Sequence, residues 1–417
     1  MDEPALQRTI DAVWRMESAR LIAGLTRQVG ELAVAEDLAQ DALVAALEQW
    51  PRDGVPENPG AWLMVTARRR GIDALRRRIA LERRHEQVAR EQEVLQRLDP
   101  ADPATQIDQV EDDVLRLMFM TCHPLLAQDM RVALTLRLLG GLTTPQIARA
   151  QLVSEGAVAQ RIVRAKRLLS SARVPFEIPG ADERPERMSA VLEVIYLIFN
   201  EGHSATAGEH WTRPELCREA MRLGRILAAL VPREGEVHGL LALMELQASR
   251  LPARIGPDGQ PVLLADQDRA LWDGTLVQRG LASLSRAETL STPLGLYALQ
   301  AAIAACHARS PRFEATDWSR IVALYDALAA LTASPVVELN RAVAVGIAYG
   351  PASALEIIDS IIDEPVLRDY HLLPAVQGEL LARLGRDDEA AAAFLRAAEL
   401  CGNEPERALL RARANRK

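Results

Sequence analysis

Gln160, Arg161, Arg164, Lys166 and Arg167 fall within one short stretch, and at helical spacing they crowd onto the outer side of a single helix. Guanidinium, ammonium and amide groups presented this way hydrogen-bond phosphate oxygens and base edges, which is the chemistry of a DNA major groove. A second, denser set is Arg68, Arg69, Arg70, Arg76, Arg77, Arg78, Arg83 and Arg84, against only two acids, Asp73 and Glu82. Such a density of guanidinium groups suits a polyanion, although ion pairing with a neighbouring acidic helix would also use it. The groups able to do covalent or metal chemistry are less well placed. Cys122 and His123 are adjacent and make a poor chelate. Glu201, His203, Glu209 and His210 sit in or beside a polar turn, where turn formation and packing explain them more simply than a ligand site. Asp258, Asp266, Asp268 and Asp273 have no histidine partner and read as turn formers and caps. Cys122, Cys217, Cys306 and Cys401 are far apart, suggesting neither a zinc knuckle nor a disulfide framework, and so a reducing compartment. With no phosphate-cradling glycine loop, nucleophile elbow or zinc-protease motif, the expectation is a binding protein without catalytic residues, metal or cofactor, and not an enzyme.

The cationic helix needs a scaffold, and the sequence around it supplies one. In GLTTPQIARAQLVSEGAVAQRIVRAKRLLSS, residues 141–171, Thr143 and Gln146 form a capping box, and Pro145 fits the first helical turn. After a turn at Leu152 and Val153, Ser154 is the next N-cap and Glu155 places negative charge where a helix N-terminus favours it. Val158, Ile162, Ala165 and Leu169 then recur at helical spacing and face inward. This is a helix-turn-helix with a basic second helix. A merely solvated amphipathic hairpin would share the cations, and only the joint pattern of caps, turn and basic second helix points to DNA.

With 417 residues, 49% of them hydrophobic, the chain can build more than one core, and its length suggests two to four domains. Aromatics are only 4%, while Leu, Ala, Arg and Glu dominate, which favours helices throughout. The net charge of -8 excludes a protein that coats nucleic acid along its whole length, so DNA binding must come from local basic faces. No N-terminal signal and no long uncharged apolar run is present, which predicts a cytoplasmic protein without a membrane partner.

A helix is predicted over Glu31 to Gln49, with Leu32, Ala35, Leu38, Ala42, Ala45 and Ala46 as its apolar stripe and Glu36, Asp37, Gln40 and Asp41 on an acidic outer face. That face is either solvated or docks on a basic partner surface. The Pro/Gly-rich stretch WPRDGVPENPG, residues 50–60, reads as a loop, and the Arg-rich helix from Ala61 to Arg84 follows. Trp62, Leu63, Val65, Ala67, Ile72 and Leu75 should anchor that helix. Residues 85–113 are acidic with Pro100 and Pro103, a linker in composition. A second module follows from Val114, its supporting helix ended by Gly140 and Gly141.

AEDLAQDALVAAL (35–47), NPGAWLMVTARRRGIDALRRR (58–78) and the helix-turn-helix resemble, in order and spacing, regions 2 and 4 of extracytoplasmic-function sigma factors of bacterial RNA polymerase, over roughly residues 10–172. The resemblance implies an all-α fold, with region 2 at 1–84 and region 4 at 114–173. It implies that Glu36, Asp37, Gln40 and Asp41 bind core RNA polymerase, on its largest-subunit coiled coil. It assigns Asn58, Trp62, Arg68, Arg69, Arg70, Asp73, Arg76 and Arg77 to the minus-10 promoter element, which they would help to open. Ser154, Glu155, Ala157, Gln160, Arg161, Arg164 and Arg167 would read the minus-35 element. Gly156 and Ala157 depart from the family, many of whose members carry a larger residue and Thr there. A regulator that binds DNA without polymerase is the alternative, but it needs neither the acidic helix nor the Arg-rich one.

After a connector at 174–190, residues 191–417 read as successive helices, and VLEVIYLIFNEGHSATAG (191–208) resembles the members of this family with a long helical C-terminal extension. Gly378, Gly385, Ala390, Phe394, Ala397 and Leu400 occupy the small and large positions of a tetratricopeptide repeat, and residues 339–358 match the pattern loosely. Such an array presents a concave surface to a peptide or protein ligand, or to another part of its own chain. The expectation is intramolecular contact with the sigma core that modulates its activity. Residues 254–276, with a DG turn between apolar segments, suggest a small hairpin.

Overall fold

The computed structural model describes residues 3–81, 106–151, 153–203, 212–257 and 261–415. The side chains of Ile72, Asp73, Leu75, Arg76, Arg77 and Arg78 lie outside the described residues, as do Glu82, Arg83, Arg84, Leu152, Glu209, His210, Asp258 and the linker up to residue 105. Two compact units make up the chain, Met1–Ile195 and Tyr196–Lys417. Among the described residues the fold is all-α, and β pairing is limited to one isolated antiparallel bridge, Ile255 with Pro261.

The first unit opens with α1 (Glu3–Val29), α2 (Leu32–Asp53) and α3 (Pro59–Leu81), followed by α4 (Gln106–Thr121), α5 (Gln128–Leu138), α6 (Thr144–Gln151) and α7 (Glu155–Ser171). The first three pack together around Ile10, Trp14, Ile22, Leu25, Leu38, Ala42 and Leu63, and α4 lies on α1. The α2 stripe predicted from sequence is buried in full. Its C-terminus differs, since the helix continues through Trp50 and Pro51 to Asp53. Buried Trp50 packs edge-on against Trp62, with ring centroids 5.4 Å apart, and Gly54 ends the helix at φ 85° with its N–H donating to the Trp50 carbonyl. Tertiary contact thus overrides a proline that removes one backbone hydrogen bond and crowds the carbonyl four residues before it. Val65 also departs from expectation: it is 63% exposed, because Leu63 and Ala67, four residues apart, define the inward face and Val65 points away from it.

Residues 106–113, expected in the linker, belong to α4. The reason is tertiary: Asp113 is fully buried, and its two carboxylate oxygens pair with Arg27 of α1 at 2.8 Å and Arg116 at 2.6 Å. The connector is likewise shorter than predicted, since α8 (Arg184–His203) starts six residues before 190. Arg187 fastens that start by donating to the Phe119 carbonyl at 2.8 Å, and Arg131 pairs with Glu193 at 3.0 Å.

The second unit contains the end of α8 and then α9 (Pro214–Leu230), α10 (Gly235–Ala248), α11 (Gly274–Leu290), α12 (Leu296–Arg309), α13 (Trp318–Thr332), α14 (Pro335–Ala348), α15 (Pro351–Ile361), α16 (Leu372–Arg383), α17 (Asp387–Leu400) and α18 (Glu404–Ala414). From α9 onward each helix packs on the next in sequence, as a stacked array requires. Small residues set the spacing. A Cβ on Gly239 would come within 2.7 Å of the Ala298 nitrogen, so α10 meets α12 at backbone contact. Gly378 meets the Phe394 ring in the same way, with a Cβ there falling 3.1 Å from its edge. Phe394, Ala390 and Ala397 are buried where the repeat pattern placed them. The hairpin expected at 254–276 is reduced to the single bridge with Val262 donating to the Arg254 carbonyl, followed by 3-10 turns at Leu264–Asp266 and Arg269–Leu271. Asp268 and Asp273 accept backbone N–H groups at the starts of the second of these turns and of α11, so both act as caps.

Candidate nucleic-acid interface

Among the described residues of the helix-turn-helix, the caps and the inward register read from the sequence are in place. Thr143 N–H donates to Gln146 Oε1 at 2.9 Å and Gln146 N–H to Thr143 Oγ at 3.4 Å, closing the capping box. Ser154 Oγ accepts from Ala157 N–H at 3.2 Å, starting α7. Val158, Ile162, Ala165 and Leu169 are buried, so the helix cannot rotate without exposing them. That fixes Ser154, Glu155, Gln160, Arg164 and Arg167 on the exposed side, with Ala157 half-buried at the edge. Gly141, at φ 63°, follows the end of the supporting α5 in the left-handed region, and a Cβ there would fall 2.9 Å from Ser18 Oγ of α1.

Two cations of the basic helix are engaged within the protein. Arg161 pairs with Asp129 at 2.9 Å and donates to Gln151 at 3.1 Å. Lys166 pairs with Glu36, whose other carboxylate oxygen accepts from Arg137 Nε at 2.9 Å. Glu36 therefore departs from the uniformly exposed acidic face expected of α2. Its side chain is 5% exposed, while Asp37 and Asp41 face solvent and Gln40 is half-buried. The sequence could not show this, because both partners of Glu36 come from the other module, Arg137 being 101 residues away.

The Arg-rich α3 divides along similar lines. Arg68 is half-buried against Gln28, to which its Nε donates at 3.1 Å, and burial with the nearby Arg27 charge lowers its pKa. Arg70 donates to the Asp41 carbonyl at 2.9 Å, and Arg69 is exposed. Asn58 caps α3 through Oδ1, which accepts from Ala61 N–H at 3.0 Å. Trp62 is half-buried against Trp50.

Of the groups considered for catalysis or metal binding, Cys122, Glu201 and His203 each have a packing or pairing partner. Cys122 is buried between the Thr121 and Thr135 hydroxyls, and burial raises its pKa. Glu201 pairs with Arg213. His203 stacks on Phe199 and its Nε2 faces Arg254 Nη1 at 3.1 Å. Desolvation, reinforced by Arg254 and Arg250, holds its pKa well below the usual histidine value, so it is a neutral acceptor.

Comparison with known proteins agrees with this geometry. Family models match as Sigma-70 region 2 at residues 14–79, as Sigma-70 region 4 at residues 116–169, and as a family of unknown function, DUF6596, at residues 187–288. The fold and the helix-turn-helix thus define a sigma-70-type transcription initiation factor. Over 94% of its length the chain is 45% identical to the uncharacterized protein R00370 of Rhizobium meliloti (strain 1021), covering 91% of that protein. It is also 27% identical to the probable ECF RNA polymerase sigma factor SigI of Mycobacterium tuberculosis, over 42% of this chain and 59% of the relative. The chain belongs to the extracytoplasmic-function sigma factors, within the group carrying a long helical C-terminal extension. No solved structure matches it. Among the described residues no helix is long and apolar enough to cross a membrane.

Proposed function

We propose that this sigma factor binds core RNA polymerase through the exposed part of the α2 acidic face, Asp37, Gln40 and Asp41, and reads two promoter elements with its two basic helices. Asn58, Trp62 and Arg69, with Arg68 and Arg70 beside them, engage and help open the minus-10 element. Gln160, Arg164 and Arg167 enter the major groove at the minus-35 element, with Ser154 and Glu155 at the leading end of the helix. The observation that carries this reading is the locked orientation of α7: its apolar side is buried and its outward side presents Gln160, Arg164 and Arg167. The work is binding, not bond-making, and phosphate contacts supply most of its affinity. A factor acting on polymerase and chromosomal DNA works in the cytoplasm.

Glu36 adds a condition. While its carboxylate holds Arg137 and Lys166, that part of the polymerase-facing helix is covered by the DNA-reading module, so engagement on polymerase exchanges these pairs for intermolecular ones. Residues 196–417, the second unit, are the regulatory extension in this reading, setting the activity of the sigma core through intramolecular contact or in response to a peptide or protein ligand. Run-off transcription with purified core polymerase and a promoter from upstream of the gene itself tests both parts. Transcript that depends on the added full chain is expected, and a different yield from residues 1–173 alone gives the sign of regulation. No transcript despite intact DNA binding would replace this reading by that of a stand-alone regulator, and equal yields would remove the regulatory role of the extension.

A further inference from the structure

The second unit brings together side chains that the sequence keeps apart. His371 stands at the N-terminal boundary of α16, Cys401 at the C-terminal boundary of α17, and Glu406 in the first turn of α18. Their donor atoms all lie within 4.8 Å of one another. His371 Nε2 is 3.3 Å from Glu406 Oε1, and Cys401 Sγ is 3.8 Å from Glu406 Oε2. In a tetrahedral zinc site with bonds of about 2.0–2.3 Å, neighbouring ligand atoms stand roughly 3.3–3.7 Å apart, so this triangle needs only small side-chain adjustment to close on an ion. His371 Nε2 is shielded from solvent and makes no hydrogen bond, so its lone pair or proton is committed to this spot without a well-formed partner.

The surrounding turn is held as an outer shell would hold it. Asn403 Oδ1 accepts from Glu406 N–H at 3.3 Å, capping α18, and Arg407 donates to the Cys401 carbonyl through Nε at 3.1 Å and Nη2 at 2.6 Å. Two of the three donors thus ride on one stapled turn, which fixes their separation before any ion arrives.

We propose that His371, Cys401 and Glu406 form a zinc site that clasps the last helix of the C-terminal unit to the two helices before it. A thiolate, a neutral imidazole and a carboxylate match the ligand preferences of Zn2+ and not those of Mg2+ or Ca2+, which take oxygen ligands. The two anionic ligands balance the dication, so the partly buried site carries no net charge. On binding, the Cys401 thiol loses its proton to solvent as the S–Zn bond forms. Three protein ligands leave a fourth position to water.

The test uses the full chain, stripped with a chelator and titrated with Zn2+ alone against a chromophoric competitor. One ion per chain is expected, with a rise in the melting temperature of the C-terminal unit. Co2+ should give a thiolate-to-metal charge-transfer band. Cys401→Ser should abolish that band and weaken Zn2+ binding by roughly 100-fold or more, beyond what loss of an outer-shell partner costs. Glu406→Gln, which preserves shape, should weaken binding at least about 10-fold while its metal-free melting temperature stays near that of the stripped wild type. If Cys401→Ser does not fold, the Glu406→Gln comparison decides. Zn2+ affinity unchanged by these substitutions, or a Co2+ complex without the charge-transfer band, would overturn the site and leave the three side chains as a histidine–carboxylate pair beside a buried thiol.

Discussion

The two units differ in what joins their parts. In the first, α4 packs on α1, and ion pairs cross between the modules as well: Glu36 of α2 with Arg137 and Lys166, and Asp113 of α4 with Arg27 of α1. Their carboxylates are buried, but Arg27, Arg137 and Lys166 remain 38%, 21% and 19% exposed, so water can take the cations back when the pair opens. In the second unit the helix pairs interdigitate through glycines and apolar side chains, Gly239 on Ala298, Gly346 on Leu380 and Gly378 on Phe394. Close packing of that kind has no comparable alternative partner in solvent. A polar interface between modules can exchange partners, as the proposed engagement of polymerase and promoter requires, whereas an interdigitated array suits a permanent scaffold.

The contrast is open to direct attack. The largest effect is expected in the array: Phe394→Ala should cost about 3–5 kcal/mol, since a buried ring is removed from a groove shaped by Gly378 and little can collapse into it. Urea unfolding of the full chain should show the loss in the transition of the second unit, and a loss below about 1 kcal/mol would mean that the groove is not tightly packed.

Acid should act on the same unit. Burial, with Arg250 and Arg269 adding to it, pushes the His307 pKa down to about 4, and His203 is lowered for the same reasons. Both depressed values mean that the unfolded chain binds the protons first. The stability they contribute is therefore complete above about pH 6.5 and is lost as the pH falls from there towards 4, to a total of about 3 kcal/mol for His307. Thermal unfolding across that range checks the sign, and a C-terminal unit that gains stability on acidification would refute it.

Between the modules, Glu36→Gln should loosen the contact by roughly 2 kcal/mol, less than a fully buried pair because both cations can rehydrate. Hydrogen exchange should quicken at the facing turns of α2 and α7 while the array is unchanged, and rising salt should have a smaller effect than the substitution because the Glu36 carboxylate is buried. The smallest change in stability is expected on the outer face of α7. Arg164→Ala and Arg167→Ala should each leave stability within about 0.5 kcal/mol, yet weaken promoter binding by about 1–3 kcal/mol where the side chain reads a base bidentately. A mobility-shift titration at fixed salt measures it, and unchanged affinity in the double variant would remove α7 from the interface.

What the sequence determined here is everything governed by neighbours a few residues away. The capping box at Thr143 and Gln146, the Ser154 cap, and the inward register of Val158, Ile162, Ala165 and Leu169 follow from helical periodicity and short-range hydrogen bonds. The small and large positions around Gly378 and Phe394 were legible for the same reason. Only the tertiary structure decided the rest. Glu36 reads as one more exposed acid until Arg137 and Lys166 arrive from the other module, and Asp113 reads as linker until Arg27 buries it. His371, Cys401 and Glu406 carry no ligand spacing in sequence and meet only because two hairpin turns return to one place. Charge pairing and ligand geometry act across space with no periodic signature along the chain, so no reading of local pattern can recover them.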